Sequence, residues 1–153
     1  MLEWSIYRNL EMSLKDFLDD KASEDEISVN IRLGRKNDSS FTLPCITFYF
    51  ESETSERLEI GSNNTFDRKL FIFDIFATGE GERLDLAFWL KEAIRNGWKV
   101  YSYAPNEENP HELIRQEQGR ATINFLTNMR VTLGDNVDPI DQFRHRITVQ
   151  VWM

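Results

Sequence analysis

Hydrophobic positions recur along this chain with two different periods. Ile6, Leu10, Leu14, Phe17 and Leu18 return at three- and four-residue spacing, which predicts an amphipathic helix over residues 3–21. The charged run "LDDKASEDE" ends it. "ISVNIRL" then alternates, with Ile27, Val29, Ile31 and Leu33 on one side and polar residues on the other, as in a half-buried strand. "GRKNDSS" reads as a loop. "CITFYFES" is a strand rich in aromatic and β-branched residues, "ETSE" reads as a turn, and "RLEIGS" as a short partner strand.

The strongest strand signal is "NNTFDRKLFIFDIFAT". Leu70, Ile72 and Phe76 point one way and Phe71, Phe73 and Ile75 the other, so both faces are covered, as in a central strand. Helical spacing returns over residues 80–96, where Leu86, Ala87, Leu90, Ala93 and Ile94 share a face and Gly97 supplies a stop. "WKVYSYA" reads as a short strand, and "PNEENPHELIRQEQG" as a long polar loop with one helical turn at "HELIRQ". Two long alternating strands close the chain, "RATINFLTNMRVTL" and "QFRHRITVQVWM", joined by the turn-rich "GDNVDPID". The order is a helix, three or four strands, a helix, then three strands. It predicts an α+β fold: a mostly antiparallel sheet with two main helices packed on one face.

Composition narrows the function. One domain spanning residues 1–153 suits the length, and no internal repeat or linker divides it. No stretch approaches the ~20 apolar residues of a membrane span, and the N-terminus lacks a signal-peptide pattern. A single cysteine, Cys45, sits in apolar "LPCITFYF", so a buried, inert thiol in a reducing cytosol is expected. The net charge is −8, which disfavours gripping nucleic acid and suits a surface that DNA must slide past. The densest basic group is "FRHRI".

The chemical motifs do not complete themselves. "GEGERL" after the central strand has the strand–glycine–helix layout of a phosphate cradle, but the third glycine and the P-loop lysine are missing. Glu80 and Glu82 stand where a phosphate would sit, so a turned corner with a carboxylate-stabilised helix start is expected. His111 and His145 are far apart and make no metal cluster. The serines of "DSS" and "SNN" have no triad context, and no acidic pair stands out. The expectation is therefore no catalytic, cofactor-binding or metal residue, and no enzyme. The informative surplus is apolar: Leu84, Phe88 and Trp89 fall outside the main stripe of their helix, Trp98 follows, and Trp152 lies on the polar side of its strand. These five either anchor subunit contacts or cover a satellite core under the polar loop. Long terminal strands raise the same question, because a free edge needs a partner or a cover.

The whole order of segments resembles the tail terminator proteins of long-tailed bacteriophages, also called tail completion, tail-to-head joining or minor tail proteins. The similarity runs from the leading helix through "ISVNIRLGR", "LPCITFYFES" and "RLEIGSNNTFDRKLFIFDIFATGEGERLDLAFWLKEAI" to "GWKVYSY", "GRATINFLTNMRVTL" and "DQFRHRITVQVWM". It implies a virion structural protein, assembled in the host cytoplasm and found in the tail or neck. Such proteins form a ring, usually of six copies, that caps the tail tube, stops its polymerisation and meets head or neck connector proteins. DNA passes through the hole without sequence-specific binding. Loops 34–42, 61–65 and 104–119 are the expected reach towards tube or neck. Another neck or head-completion protein (stopper or adaptor) and, from a different class, a small cytosolic hydrolase are the competing readings.

Overall fold

The computed structural model describes residues 4–34, 42–58, 60–61, 65–133 and 139–153. The first helix, α1 (Ile6–Glu24), begins where Ser5 accepts a hydrogen bond from the Arg8 N–H at 3.3 Å. Its stripe of Leu10, Leu14 and Leu18 is fully buried. Strands β1 (Asn30–Leu33), β2 (Cys45–Arg57) and β3 (Thr65–Ala77) follow, then helix α2 (Glu80–Ile94). Strands β4 (Lys99–Pro105), β5 (Leu113–Arg120), β6 (Thr122–Arg130) and β7 (Phe143–Trp152) complete the described elements, with a 3₁₀ turn at Pro139–Asp141 before β7.

The fold is α+β. The main sheet has the order β1-β2-β3-β7-β6, and β4-β5 form a separate antiparallel pair. Every pairing is antiparallel except β1 with β2. β3 is the central strand, and its alternation fills both faces as its sequence demands. Phe71, Phe73 and Ile75 join Phe48, Ile147 and Val149 beneath the leucines of α1 and the Leu86, Ala87, Leu90 and Ile94 face of α2. Both helices therefore share one face of the sheet. On the opposite face Cys45 and Phe76 pack with Leu43 and Ile140.

Three local expectations need correction. No turn forms at residues 53–56, because β2 runs on to Arg57 against β3. Glu53 with Lys69 at 3.6 Å, Glu56 with Arg68 at 3.7 Å, and Ser55 donating to Asp67 at 2.6 Å line up across that polar hairpin arm. "RLEIGS" is consequently not a partner strand: Arg57 ends β2, and Leu58, Ile60 and Gly61 lie in the turn, with residues 59 and 62 outside the described set. The polar stretch 105–119 is not a loop with a helical turn. Leu113–Arg120 is strand β5, and it pairs with β4 from Lys99↔Arg120 to Pro105↔Leu113. Most of the expected loop "GRKNDSS", the serines of "DSS" and "SNN", and part of "GDNVDPID" lie outside the described residues.

Where the two sheets meet, the packing is tight. β5 passes into β6 through buried Ala121, whose N–H donates to the Trp98 carbonyl at 2.8 Å. Gly97 leaves α2 with φ +71°, its N–H donating to the Ile94 carbonyl at 2.8 Å. A left-handed residue at that position is what a helix exit asks of glycine.

Candidate assembly surface

The corner between β3 and α2 shows how its polar groups are used. Thr78 donates from its N–H and its hydroxyl to one Glu82 carboxylate oxygen, at 2.8 and 3.0 Å. The helix start is thus occupied by the chain's own carboxylate. Glu80 is held by Arg83, which keeps its carboxyl below the usual range.

Arg83 is buried and reaches inward from α2 to the Nδ1 of His145 on β7, while the His145 Nε2 faces the Asn128 Oδ1 on β6. A guanidinium only donates, so Nδ1 is the acceptor and Nε2 carries the proton. The ring is therefore neutral. Burial first, and the Arg83 charge second, push the His145 pKa below its ordinary value, with Glu80 pulling weakly the other way. In the unfolded chain His145 takes up its proton near pH 6.5. The folded chain resists protonation until lower pH. The stability conferred by the neutral ring is present above that point and is lost as pH falls from about 6.5 towards the lowered folded value. We expect the urea midpoint to drop between pH 7.5 and 5.5, and His145→Gln to lose that part of the slope. An unchanged slope in the variant would remove His145 as its source.

The basic run of β7 is likewise committed. Arg146 Nε and Nη2 contact the two Asp74 oxygens at 2.8 and 3.1 Å, and Arg144 Nη2 contacts Asp74 at 2.9 Å and, through Nη1, Asp141 at 3.4 Å. These arginines are neutralised within the sheet's outer face. Cys45 is fully buried, and burial pushes its thiol up to about 11. Among the described residues no group of three or more His, Cys, Asp or Glu is placed to hold a metal, and no helix is long and apolar enough to cross a membrane.

A hollow of about 210 Å³ lies between α1 and the β4–β5 pair, lined by Ser13, Asp16, Asp20, Tyr101 and Arg115 among others. Its groups hold the hairpin down. Ser13 Oγ accepts from the Tyr101 N–H at 2.9 Å, and Asp16 accepts from the Tyr103 hydroxyl at 2.6 Å. Burial and that carboxylate push Tyr103 up to about 12.

The five apolar residues singled out in the sequence do not form one patch. Leu84 and Phe88 lie one turn apart on α2 and are 53% and 67% exposed. Trp89, on the other flank, is half-buried against the core and donates Nε1–H to Asp25 at 2.9 Å. Trp152 is half-buried and packs on Phe66, ring centroids 5.8 Å apart, on the outer face. Trp98 is a correction: it is fully buried in the main core, edge-on to Phe71, and offers no surface to a partner.

The side of α2 that carries Leu84 and Phe88 also carries Lys91, at the i, i+4, i+7 spacing of one flank. Lys91 sits 5.7 Å from the Phe125 ring of β6, so this flank overlooks the end of the sheet. β6 is an edge strand that pairs with β7 alone among the described strands, and it exposes Leu126 and Met129. Sequence reasoning named the helix residues and raised the edge of the long closing strands separately; it did not bring the two to the same end of the sheet, which the Lys91–Phe125 contact does. No family model and no curated protein matches the chain.

Proposed function

We propose that the protein is a virion structural subunit, a tail terminator of a long-tailed bacteriophage. Copies close into a ring on the finished tail tube, end its polymerisation and present a new surface to the head or neck. The reading rests on the resemblance in segment order, and one structural observation carries it further. The edge strand β6, which pairs with β7 alone among the described strands, is reached through Lys91 and Phe125 by the helix flank that exposes Leu84 and Phe88. Edges of this kind are ordinarily covered or paired, and a neighbouring copy would cover this one. A ring demands a heterologous contact, with different surfaces meeting at each junction. Docking then works by shape. One ring face continues the tube lattice, and the other lacks it. Weak contacts repeated around the circle add up to tight capping. The net charge of −8 suits a hole through which DNA passes without sticking.

The test is a polymerisation assay with purified tail tube protein. Adding this chain should shorten the tubes in proportion to its concentration, with ring density at tube ends in electron micrographs. Tubes of unchanged length, with bare ends, would reject the reading.

A further inference from the structure

The α2–β6 surface is apolar and cationic, and a second surface of the same chain has the opposite character. Lys91 lies one turn beyond Phe88 on the same flank, and Arg130 ends β6 opposite His145; neither makes an ion pair among the described residues, although the Arg130 charge acts on Glu80, which Arg83 already holds. The second surface is the tip of the β4–β5 hairpin. Glu107, Glu108 and Glu112 are exposed there, and their carboxylates meet no cation among the described residues. Leu113 and Ile114, 44% and 55% exposed, follow at the start of β5. That strand is exposed at every residue but Gly119.

The tip is a closed turn. The Asn106 N–H donates to the Glu112 carbonyl, the Glu112 N–H to the Asn109 carbonyl, and the Glu108 N–H to the Asn106 Oδ1, each at 3.0 Å. Its carboxylates are thus presented on a shaped end, which lowers the ordering cost of docking.

We propose that the occupant of the α2–β6 surface is the β4–β5 hairpin tip of a second copy. The inference rests on the ring reading above and names the two surfaces that meet at each junction. Charge decides between modes of contact. Pairing either surface with its own copy would set cation against cation, or carboxylate against carboxylate, and like charges brought together are penalised; a closed ring of more than two copies further requires the contact to run head to tail. Head-to-tail contact sets Lys91 and Arg130 against Glu107, Glu108 and Glu112, and Leu84 and Phe88 against Leu113 and Ile114. The apolar pairs supply the burial, and the charges set the direction of assembly.

The experiment uses the full chain and sedimentation velocity at low salt. Two variants are made: Lys91→Glu/Arg130→Glu, and Glu107→Lys/Glu108→Lys/Glu112→Lys. All five positions lie at the surface or beside it, and far-UV circular dichroism checks that each variant folds. Each variant alone should associate at least about tenfold more weakly than wild type, because its two surfaces now carry the same sign. Mixed one to one, they should recover association, since each junction then joins opposite signs. Phe88→Ser should weaken association without altering its salt dependence.

If wild type assembles and both variants assemble as well alone as mixed, the hairpin is not the occupant, while the ring reading stands. If wild type stays monomeric and leaves tail tubes uncapped, the ring reading falls and this junction with it. Capping of tubes by a wild type that never self-associates on them also overturns the junction.

Discussion

Gly97→Ala should cost roughly 3–5 kcal/mol of folding stability, the far tail of single-substitution effects. A Cβ at this position would lie 1.7 Å from the Ala121 carbonyl oxygen, an obstruction made of backbone rather than of a movable side chain. The backbone itself adds strain, because φ is +71° and an alanine resists that conformation. Two segments must separate for the methyl to fit. One is the exit of α2, and the other is the junction of β5 with β6, joined to it by the Ala121 N–H bond to Trp98. Trp98 itself is fully buried next to the clash. Gly81→Ala is the matched control. Its Cβ would meet nothing within 4 Å, and it lies inside α2. That variant should gain about 0.4–1 kcal/mol by restricting the unfolded chain. Urea titrations of the pair decide the matter. Equal midpoints for Gly97→Ala and wild type would mean that the two segments are not in contact in solution.

Asp74→Asn is expected to lose about 3 kcal/mol, the range for stripping one partner from a buried ion cluster. Asp74 is 2% exposed and sits between Arg144 and Arg146 on the outer face. Asparagine keeps the shape but removes the charge, leaving two guanidinium groups side by side. Solvent reaches Arg146, at 35% side-chain exposure, and moderates the loss; Arg144, at 17%, carries most of it. Changing Asp74 and both arginines to methionine together should recover part of the loss, since neither guanidinium is then stranded, while Asp141 gives up its Arg144 contact. A loss under about 0.5 kcal/mol for Asp74→Asn would place the cluster with ordinary surface salt bridges.

The helices and the core strands were legible because burial writes itself as period. Leu10, Leu14 and Leu18, or Phe71, Phe73 and Ile75, face the core in the rhythm of their elements. Residues 53–56 and the stretch 113–120 were illegible for the converse reason. "ETSE" and "LIRQEQGR" bury little on either side, so their alternation carries no hydrophobic mark. They are strands because a partner strand supplies the ladder, through pairings such as Glu53↔Lys69 and Ser102↔Gln116. The candidate surface was half visible. Leu84 and Phe88 break the pattern of α2 and announce exposure. Trp98 follows the helix and reads in sequence as one more surplus aromatic, yet the chain turns at Gly97 and carries that ring inward. Strand parity separates His145 from its arginine neighbours in "FRHRI": His145 faces α2, while Arg144 and Arg146 face away from it.

The passage of β5 into β6 through Ala121 has a mechanical side. A pull on the tip of the β4–β5 hairpin reaches β7 along one run of main chain, by covalent bonds and then by a ladder of amides. Within each subunit a tug on the tip would therefore be taken up by backbone rather than by side chains.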